Sequence, residues 1–143
     1  MRVMIDTNIF ISAALFPNGS AAQALYKAMM PPYQPVVCDY VIDEVHRKFQ
    51  EKFPDKTVEL EAFFYTAIPA FSIVVTPEEA VAAEAQIRDP KDRPILRAAL
   101  NVGADLLLTG DKDLLESSIE DPRIISVRSF LDMDCLGFIQ LGC

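Results

Sequence analysis

The sequence has few of the residues that most often build covalent or histidine-based sites. It contains one histidine, His46, and three cysteines, Cys38, Cys135 and Cys143, in 143 residues. A single histidine excludes a histidine-based metal site. An odd number of cysteines without metal-site spacing indicates buried or free thiols in a reducing compartment. The sequence shows no serine–histidine or cysteine–histidine arrangement that would indicate a side-chain nucleophile.

Basic residues are also few, with 13 lysines and arginines against 21 acidic residues and a formal net charge of −8. Nucleic-acid-binding domains usually display a basic face, and this composition does not indicate one. The acidity does not exclude a nuclease, because acids can be metal ligands and two divalent ions would return about four positive charges. An ordinary acidic cytosolic protein explains the total charge equally well.

Long apolar runs are absent. No run approaches the roughly 18–20 apolar residues that span a bilayer. Residues 3–16 are largely apolar, but Asp6 and Asn8 interrupt them and no basic segment precedes them. We therefore expect a cytoplasmic protein without a membrane segment. With 51% hydrophobic residues, one domain with a sizeable core is expected, burying roughly 70% of the unfolded surface.

Short apolar runs alternate with longer helical stretches, without an internal repeat or linker, which predicts an α/β fold with a parallel sheet. The predicted strands are residues 2–5, 35–38, 71–75, 104–109 and 123–127. Two helix starts are also predicted. Ser20 and Gln23 have the form of a capping box, and residues 76–79, Thr-Pro-Glu-Glu, form a strong helix-start signal.

Four acidic stretches follow apolar runs in distant parts of the chain. They contain Asp6, Asp43 and Glu44, Asp89 and Asp92, and Asp111 and Asp113. Because the carboxyl ends of parallel strands share one edge, where ligands bind, we expect these carboxylates to converge. Converging carboxylates repel each other and need a cation, and oxygen ligands favour Mg²⁺ or Mn²⁺. A pair of such ions commonly drives phosphodiester hydrolysis.

Helix capping is the simpler explanation for several of these acids. Thr7 and Asn8 are equally good caps, so Asp6 is not needed for that purpose. Asp92 precedes Ile95 by three residues and lies on a face that must pack inward, where a carboxylate is costly unless it caps or coordinates. The alternative is that Asp89 is the N-cap and Asp92 completes a box-like cap.

The other acids also have alternatives. Glu44 lies beside an apolar helical stripe, and an i,i+4 pair with Lys48 would account for it. Capping of the next helix by Asp111 is the better explanation when that residue is taken alone. Two acids two residues apart, here Asp111 and Asp113, also form a common divalent-metal platform. Thr109 could add a hydroxyl to the metal shell or to a carboxylate.

Together the four segments resemble the PIN domain family, in the family's order and at its usual separations. The matching segments are Met4-Ile-Asp6-Thr-Asn8-Ile-Phe, Asp43-Glu44-Val, Asp89-Pro-Lys-Asp92-Arg-Pro-Ile-Leu and Leu108-Thr-Gly-Asp111-Lys-Asp113-Leu-Leu. The similarity spans residues 1–132 and is greatest to PIN proteins grouped with VapC-type toxins. It implies a single three-layer α/β/α domain over residues 1–132, with a central parallel sheet of four to five strands. Residues 133–143 form an unassigned tail.

The resemblance also implies a function, namely Mg²⁺- or Mn²⁺-dependent cleavage of RNA by the toxin of a toxin–antitoxin pair, using one or two ions. The alternative is a weakly active or inactive PIN-fold module that binds RNA or protein. The implied catalytic and metal-binding residues are Asp6, Glu44, Asp92 and Asp111, with Asn8, Thr109, Asp113 and Asp89 as accessory residues; the roles of Asp89 and Asp92 could be exchanged.

Partners follow from the same resemblance. The substrate would be RNA, and we expect a small antitoxin and a homodimer. The apolar helices over residues 20–30 and 55–67, with Phe63, Phe64 and Tyr65, are candidate contact surfaces, although plain core packing is the alternative. Four basic residues near the expected crevice are candidate phosphate contacts, or else ordinary solvated charges: Lys91, Arg93, Arg97 and Lys112.

Overall fold

A computed structural model describes residues 1–133 as a five-stranded, wholly parallel sheet with strand order β3-β2-β1-β4-β5. The strands are β1 (Arg2–Ile5), β2 (Gln34–Cys38), β3 (Ser72–Val74), β4 (Leu106–Leu108) and β5 (Arg123–Ile125). All five lie within a residue or two of their predicted positions. The tail beyond residue 133, which we could not assign from sequence, lies outside the described residues.

The central strands are buried on both faces. Side chains alternate between the two faces of a strand, yet Val3, Met4 and Ile5 of β1 are all 0% exposed and Leu106–Leu108 of β4 are also buried. Both faces of the sheet are therefore covered by helices, which confirms the predicted three-layer arrangement. Continuous apolar runs of this kind are typical of parallel strands buried on both sides.

The connections are mainly helical. The helices are α1 (Thr7–Leu15), α2 (Ser20–Ala28), α3 (Asp39–Lys52), α4 (Thr57–Ala67), α5 (Arg93–Asn101), α6 (Lys112–Leu115) and α7 (Val127–Asp132). Short 3₁₀ turns occupy Pro54–Lys56, Ile68–Ala70, Ala82–Gln86 and Pro90–Asp92. Among residues 1–133, none of the helices has the length and apolar character needed to cross a membrane.

One predicted helix start is wrong, and the other, at Ser20, is correct but lacks its predicted cap. The capping box at Ser20 does not form, because Ser20 is already helical and Gly19 is the N-cap, without a side-chain cap. Residues 76–79 begin no helix. Instead, both the backbone N–H and the hydroxyl of Thr76 donate to Asp39 Oδ1, at 2.9 and 2.6 Å. This pair of bonds ties the segment after β3 to the start of α3 in a non-helical course.

The strand order reverses beside β1. The chain moves outward from β1 to β2 and β3, then returns to the other side of β1 to form β4 and β5. In open parallel sheets, such a switch point leaves a crevice beyond the carboxyl ends of the two central strands. Asp6 directly follows β1 and Thr109 directly follows β4, so the fold brings these two residues to the crevice.

Candidate metal centre

Asp6 is buried at the crevice, with 3% of its surface exposed. Its Oδ1 accepts a 2.7 Å hydrogen bond from the Thr7 N–H, and its Oδ2 accepts a 2.6 Å bond from the Thr109 hydroxyl. The expectation that Asp6 is not needed as a cap is wrong, because α1 starts at Thr7 and Asp6 is its N-cap. Burial raises the pKa of Asp6 to about 6, against the lowering effect of the Thr109 and Thr7 hydrogen bonds.

Glu44 reaches the same crevice from α3 and is 7% exposed. Its Oε1 accepts a 2.5 Å hydrogen bond from the Thr7 hydroxyl, and its Oε2 accepts a longer, 3.4 Å bond from the Tyr40 hydroxyl. Its ion-pair partner is Arg47, whose Nη2 lies 3.9 Å from Oε2, and not Lys48, the partner that the i,i+4 spacing suggests. Thr7 therefore sits between the two buried acids, with its N–H on Asp6 and its hydroxyl on Glu44.

Asp92 is half-buried, and its Oδ2 has no hydrogen-bond partner within residues 1–133. It occupies the N-cap position of α5 but makes no capping hydrogen bond; Asp89 caps the preceding turn by accepting from the Lys91 N–H at 3.0 Å. Burial and then the charge of Asp111 are the largest causes that raise the pKa of Asp92, to about 7. A carboxylate in this position is costly unless a cation neutralises it.

Asp111 follows β4 and caps α6 by accepting a 2.7 Å hydrogen bond from the Asp113 N–H. Its own N–H donates to the Thr109 hydroxyl oxygen at 3.0 Å. Because that hydroxyl in turn donates to Asp6, Thr109 connects the acid after β4 to the acid after β1. Capping by Asp111, the simpler explanation from sequence, is thus present, and it leaves the second carboxylate oxygen, Oδ2, outside the cap.

These acids meet in one cleft of about 500 Å³. Its lining includes all four acids of the predicted catalytic set, together with the predicted accessory residues Asn8 and Asp89. Thr109 is fully buried behind Asp6. The lining residues are Asp6, Thr7, Asn8, Tyr40, Glu44, Arg47, Lys48, Glu51, Lys52, Asp89, Lys91, Asp92 and Asp111.

A second acidic grouping overlaps the first at Asp92. One oxygen from each of Asp89, Asp92 and Asp113 lies within 4.8 Å of the other two. Asp113 does not line the cleft, however, and its Oδ1 already accepts hydrogen bonds from Arg88 at 2.6 and 3.1 Å. Asp113 is therefore held at the edge of the centre by a cation of the protein itself.

Of the four basic residues expected near the crevice, Lys91 alone is part of its lining. The prediction that Arg97 contacts phosphate is wrong. Its guanidinium forms an ion pair with Glu84 at 2.9 Å and also donates to the Pro77 carbonyl, so it has no free face for a phosphate. Arg93 donates through Nε to the Ile87 carbonyl at 3.0 Å. Lys112 is exposed and lies outside the cleft lining.

Sequence reasoning missed two side chains that hold the acids in place. The sequence predicts Thr7 only as a helix cap, and it predicts no role for Tyr40. Tyr40 donates to the Lys91 carbonyl at 2.9 Å as well as to Glu44, and burial raises its pKa to about 12. A signal existed for Tyr40, because it lies one helical turn before Glu44 on the same face.

A divalent cation such as Mg²⁺ or Mn²⁺ fits this donor set. The groups are carboxylate oxygens of the kind that hard cations prefer. Burial raises the pKa values of Asp6 and Asp92, and the buried Asp92 Oδ2 has no hydrogen-bond partner in the described part of the chain, so a bound cation would favour the ionised form of both acids. Asp6, Glu44, Asp92 and Asp111 are the residues that would hold it.

Fold and site together define a parallel α/β domain with a carboxylate-lined crevice at its switch point. The sequence profile of the PIN domain family matches residues 2–113, so the chain belongs to that family, as its motifs predicted. No curated protein matches the chain in sequence. Among solved structures, one chain in the crystal structure of VapBC2 from Rickettsia felis bound to a promoter DNA fragment is similar to this chain, with a TM-score of 0.65. The two are 16% identical, with 88% of this chain and 98% of that chain covered, and the likeness confirms the fold.

Proposed function

We propose that this chain is a metal-dependent ribonuclease that hydrolyses RNA phosphodiester bonds with one or two Mg²⁺ or Mn²⁺ ions. The observation that carries the proposal is the Oδ2 atom of Asp92, which is buried without a hydrogen-bond partner in residues 1–133, in a cleft shared with Asp6 and Asp111. Membership of the PIN domain family supports it. We retain residues 1–132 as the proposed extent of the domain.

The proposed roles follow from the contacts. Asp6, Asp92 and Asp111 would hold the ions, and Glu44 would bind directly or through water. When bound, such ions lower the pKa of water and stabilise charge that develops on the phosphoryl and leaving oxygens. Thr7 orients Asp6 and Glu44 through its N–H and hydroxyl, at 2.7 and 2.5 Å. Fixing ligand orientation in this way typically matters for metal affinity.

Accessory roles are proposed for the remaining predicted residues. Asn8 would contact substrate or water from the cleft wall, which it lines. Thr109 orients Asp6, Asp89 caps the turn that carries Asp92, and Asp113 joins the edge of the centre through its pair with Arg88. Lys91 is retained as a phosphate contact. Arg93, Arg97 and Lys112 are not, because they lie outside the cleft lining.

We also propose that the chain is the toxin of a toxin–antitoxin pair in the cytoplasm, with a small antitoxin as partner. The VapBC2 structure, named as a complex with promoter DNA, supports this by likeness of fold. A homodimer through α4 is proposed as well. Phe64 of the predicted contact surface is packed in the core, whereas Tyr65 is 86% and Val58 77% exposed, which leaves the outer face of α4 for a partner.

The test of activity is an RNA cleavage assay with Mn²⁺ and with chelator. Three proteins are compared: the parent, Asp6→Asn, and the control Asp43→Asn. Asp43 is an exposed acid on α3 outside the cleft lining. The parent and Asp43→Asn should cut RNA only with metal, and Asp6→Asn should not cut it. Cleavage by Asp6→Asn at the parent rate would overturn the assignment.

The alternative is a PIN-fold binding module without activity. The observation that favours it is the charge of the cleft, whose lining has six acidic and four basic side chains, an unfavourable balance for holding RNA without metal. A large rise in melting temperature with Mn²⁺ supports the filled metal site. Its absence, together with absence of cleavage, would favour the binding module.

A further inference from the structure

One edge of α3 faces the cleft along the whole length of the helix. Tyr40, Glu44, Arg47, Lys48, Glu51 and Lys52 all line it. This spacing of three to four residues places them on one side of a helix, next to the buried stripe of Val41, Val45 and Phe49. The acidic end of this edge, at Glu44, lies at the metal centre, and the basic residues follow it. We call Arg47, Lys48 and Lys52 the α3 basic edge.

The α3 basic edge concentrates positive charge in a chain of net charge −8. Together, this edge and Lys91 supply the four basic side chains of the cleft lining. Within residues 1–133, neither Lys48 nor Lys52 forms an ion pair. By contrast, Arg88 and Arg97 are paired with Asp113 and Glu84. The ammonium groups of the edge are therefore available to a bound anion.

The geometry of a helix sets the spacing of these charges. At 1.5 Å rise per residue, Lys48 lies about 6 Å and Lys52 about 12 Å along the axis from Glu44. Successive phosphates of an extended strand have comparable separations. A single strand whose scissile phosphate lies at the carboxylates would thus place its next two phosphates beside Lys48 and Lys52.

We propose that the α3 basic edge binds the backbone phosphates of a single RNA strand and directs it along α3 away from the carboxylates. This inference rests on the proposed function, since it assumes that RNA is the substrate. Lysine is a compact point charge that contacts phosphates without reading bases. The edge therefore fixes the path of the strand, and it contributes affinity without sequence preference.

The test measures RNA binding by fluorescence anisotropy with a labelled single-stranded 12-mer in Ca²⁺, which takes the same kind of carboxylate ligands. All proteins keep the four acids, so that the metal centre can fill, and a gel checks that the RNA stays intact. One variant adds Lys48→Ala and Lys52→Ala. Its matched control adds Arg123→Ala and Arg128→Ala, which removes the same charge from two exposed residues; Arg123 begins β5 at the opposite edge of the sheet, and Arg128 is 93% exposed.

The lysine variant should bind about 5- to 30-fold more weakly than its parent, and the control should bind as the parent does. The dependence of log affinity on log salt should fall by about 1.4 for two lost contacts on a single strand. Equal binding by the two double variants, or no binding by the parent chain, would overturn the inference. Failure of the proposed function is seen separately, as absence of Mn²⁺-dependent RNA cleavage by the parent chain.

Discussion

The hydroxyl of Thr109 donates a 2.6 Å hydrogen bond to Oδ2 of Asp6, although 103 residues separate them in sequence. Both residues are buried, directly after β4 and β1. The same hydroxyl oxygen accepts from the Asp111 N–H at 3.0 Å. Thr109 thus links the residues that follow the two central strands. It holds Asp6 in one orientation and fixes the turn that carries Asp111.

Replacing Thr109 with valine should therefore weaken both stability and metal binding. The variant leaves a buried carboxylate oxygen and a backbone N–H without their partner, which typically costs about 1–3 kcal/mol of unfolding free energy. Loss of ligand orientation should lower Mn²⁺ affinity about 10- to 100-fold. Urea unfolding and Mn²⁺ titration measure the two effects. Thr109→Ser keeps the hydroxyl and should retain most of both properties; a serine variant as impaired as valine would contradict the role given to the hydroxyl.

Asp6 and Asp92 should each contribute less to the stability of the metal-free protein as pH rises through the acidic range. The pKa of Asp6 is raised from 3.8 to about 6, and that of Asp92 from 3.8 to about 7. The carboxyl groups have a higher pKa in the folded than in the unfolded protein. Their contribution to stability is complete at pH values below the unfolded-state pKa. It is lost as pH rises through the folded-state pKa. These two groups therefore oppose folding above about pH 7.

Asp92→Asn isolates this effect. In chelator, the variant should equal the parent near pH 4 and exceed its unfolding free energy by about 1–3 kcal/mol at pH 8, because it has no charge to bury. Denaturant unfolding at several pH values gives the comparison, with Asp43→Asn as an exposed control that should show no such trend. In the parent, Mn²⁺ affinity should rise from pH 5 to pH 8, because the ion competes with protons. A parent that is more stable at pH 8 than Asp92→Asn would refute the prediction.

A buried ion pair supports the segment that leads to Asp92. Both guanidinium and carboxylate are nearly enclosed: Arg97 Nη2 lies 2.9 Å from Glu84 Oε1, and their side chains are 15% and 8% exposed. Arg97 holds the pKa of Glu84 below its usual value. Glu84→Ala would remove one partner of Arg97, which keeps its hydrogen bonds to the Pro77 and Glu78 carbonyls, and should cost about 1–3 kcal/mol of unfolding free energy. Urea unfolding tests this, and an unchanged unfolding free energy would contradict the stabilising role given to the pair.

The local patterns predicted the parts of this molecule that depend on local sequence. Leu106–Leu108 is a continuous apolar run, and it forms a strand buried on both sides. The acid after it and the acid after β1 reach one crevice because parallel strands share an edge. Asp89 was considered as a cap, and its hydrogen bond to the Lys91 N–H bears that out, which leaves Asp92 without a capping hydrogen bond.

Contacts between distant segments were not predictable in this way. Thr76 looked like a helix start, but its hydroxyl bonds to Asp39, 37 residues earlier. Arg97 looked like a phosphate contact because it follows Asp92 closely, yet its helical position turns it toward Glu84. Lys48 and Lys52 were not predicted to line the cleft, although Lys48 follows Glu44 by four residues, because their position depends on how α3 packs beside the crevice.

The central claim is that acids from distant parts of the chain share a divalent cation, and Mn²⁺ binding measured by titration calorimetry at pH 7.5 tests it most directly. The parent and Asp43→Asn should bind Mn²⁺ with equal affinity. Asp6 and Asp92 are separated by 86 residues, and Asp6→Asn and Asp92→Asn should each lower Mn²⁺ affinity by more than about 100-fold. Loss of a direct ligand should cost more than the 10- to 100-fold that changes in residues behind the ligands typically cost. No Mn²⁺ binding by the parent, or parent-like binding by Asp92→Asn, would contradict the account.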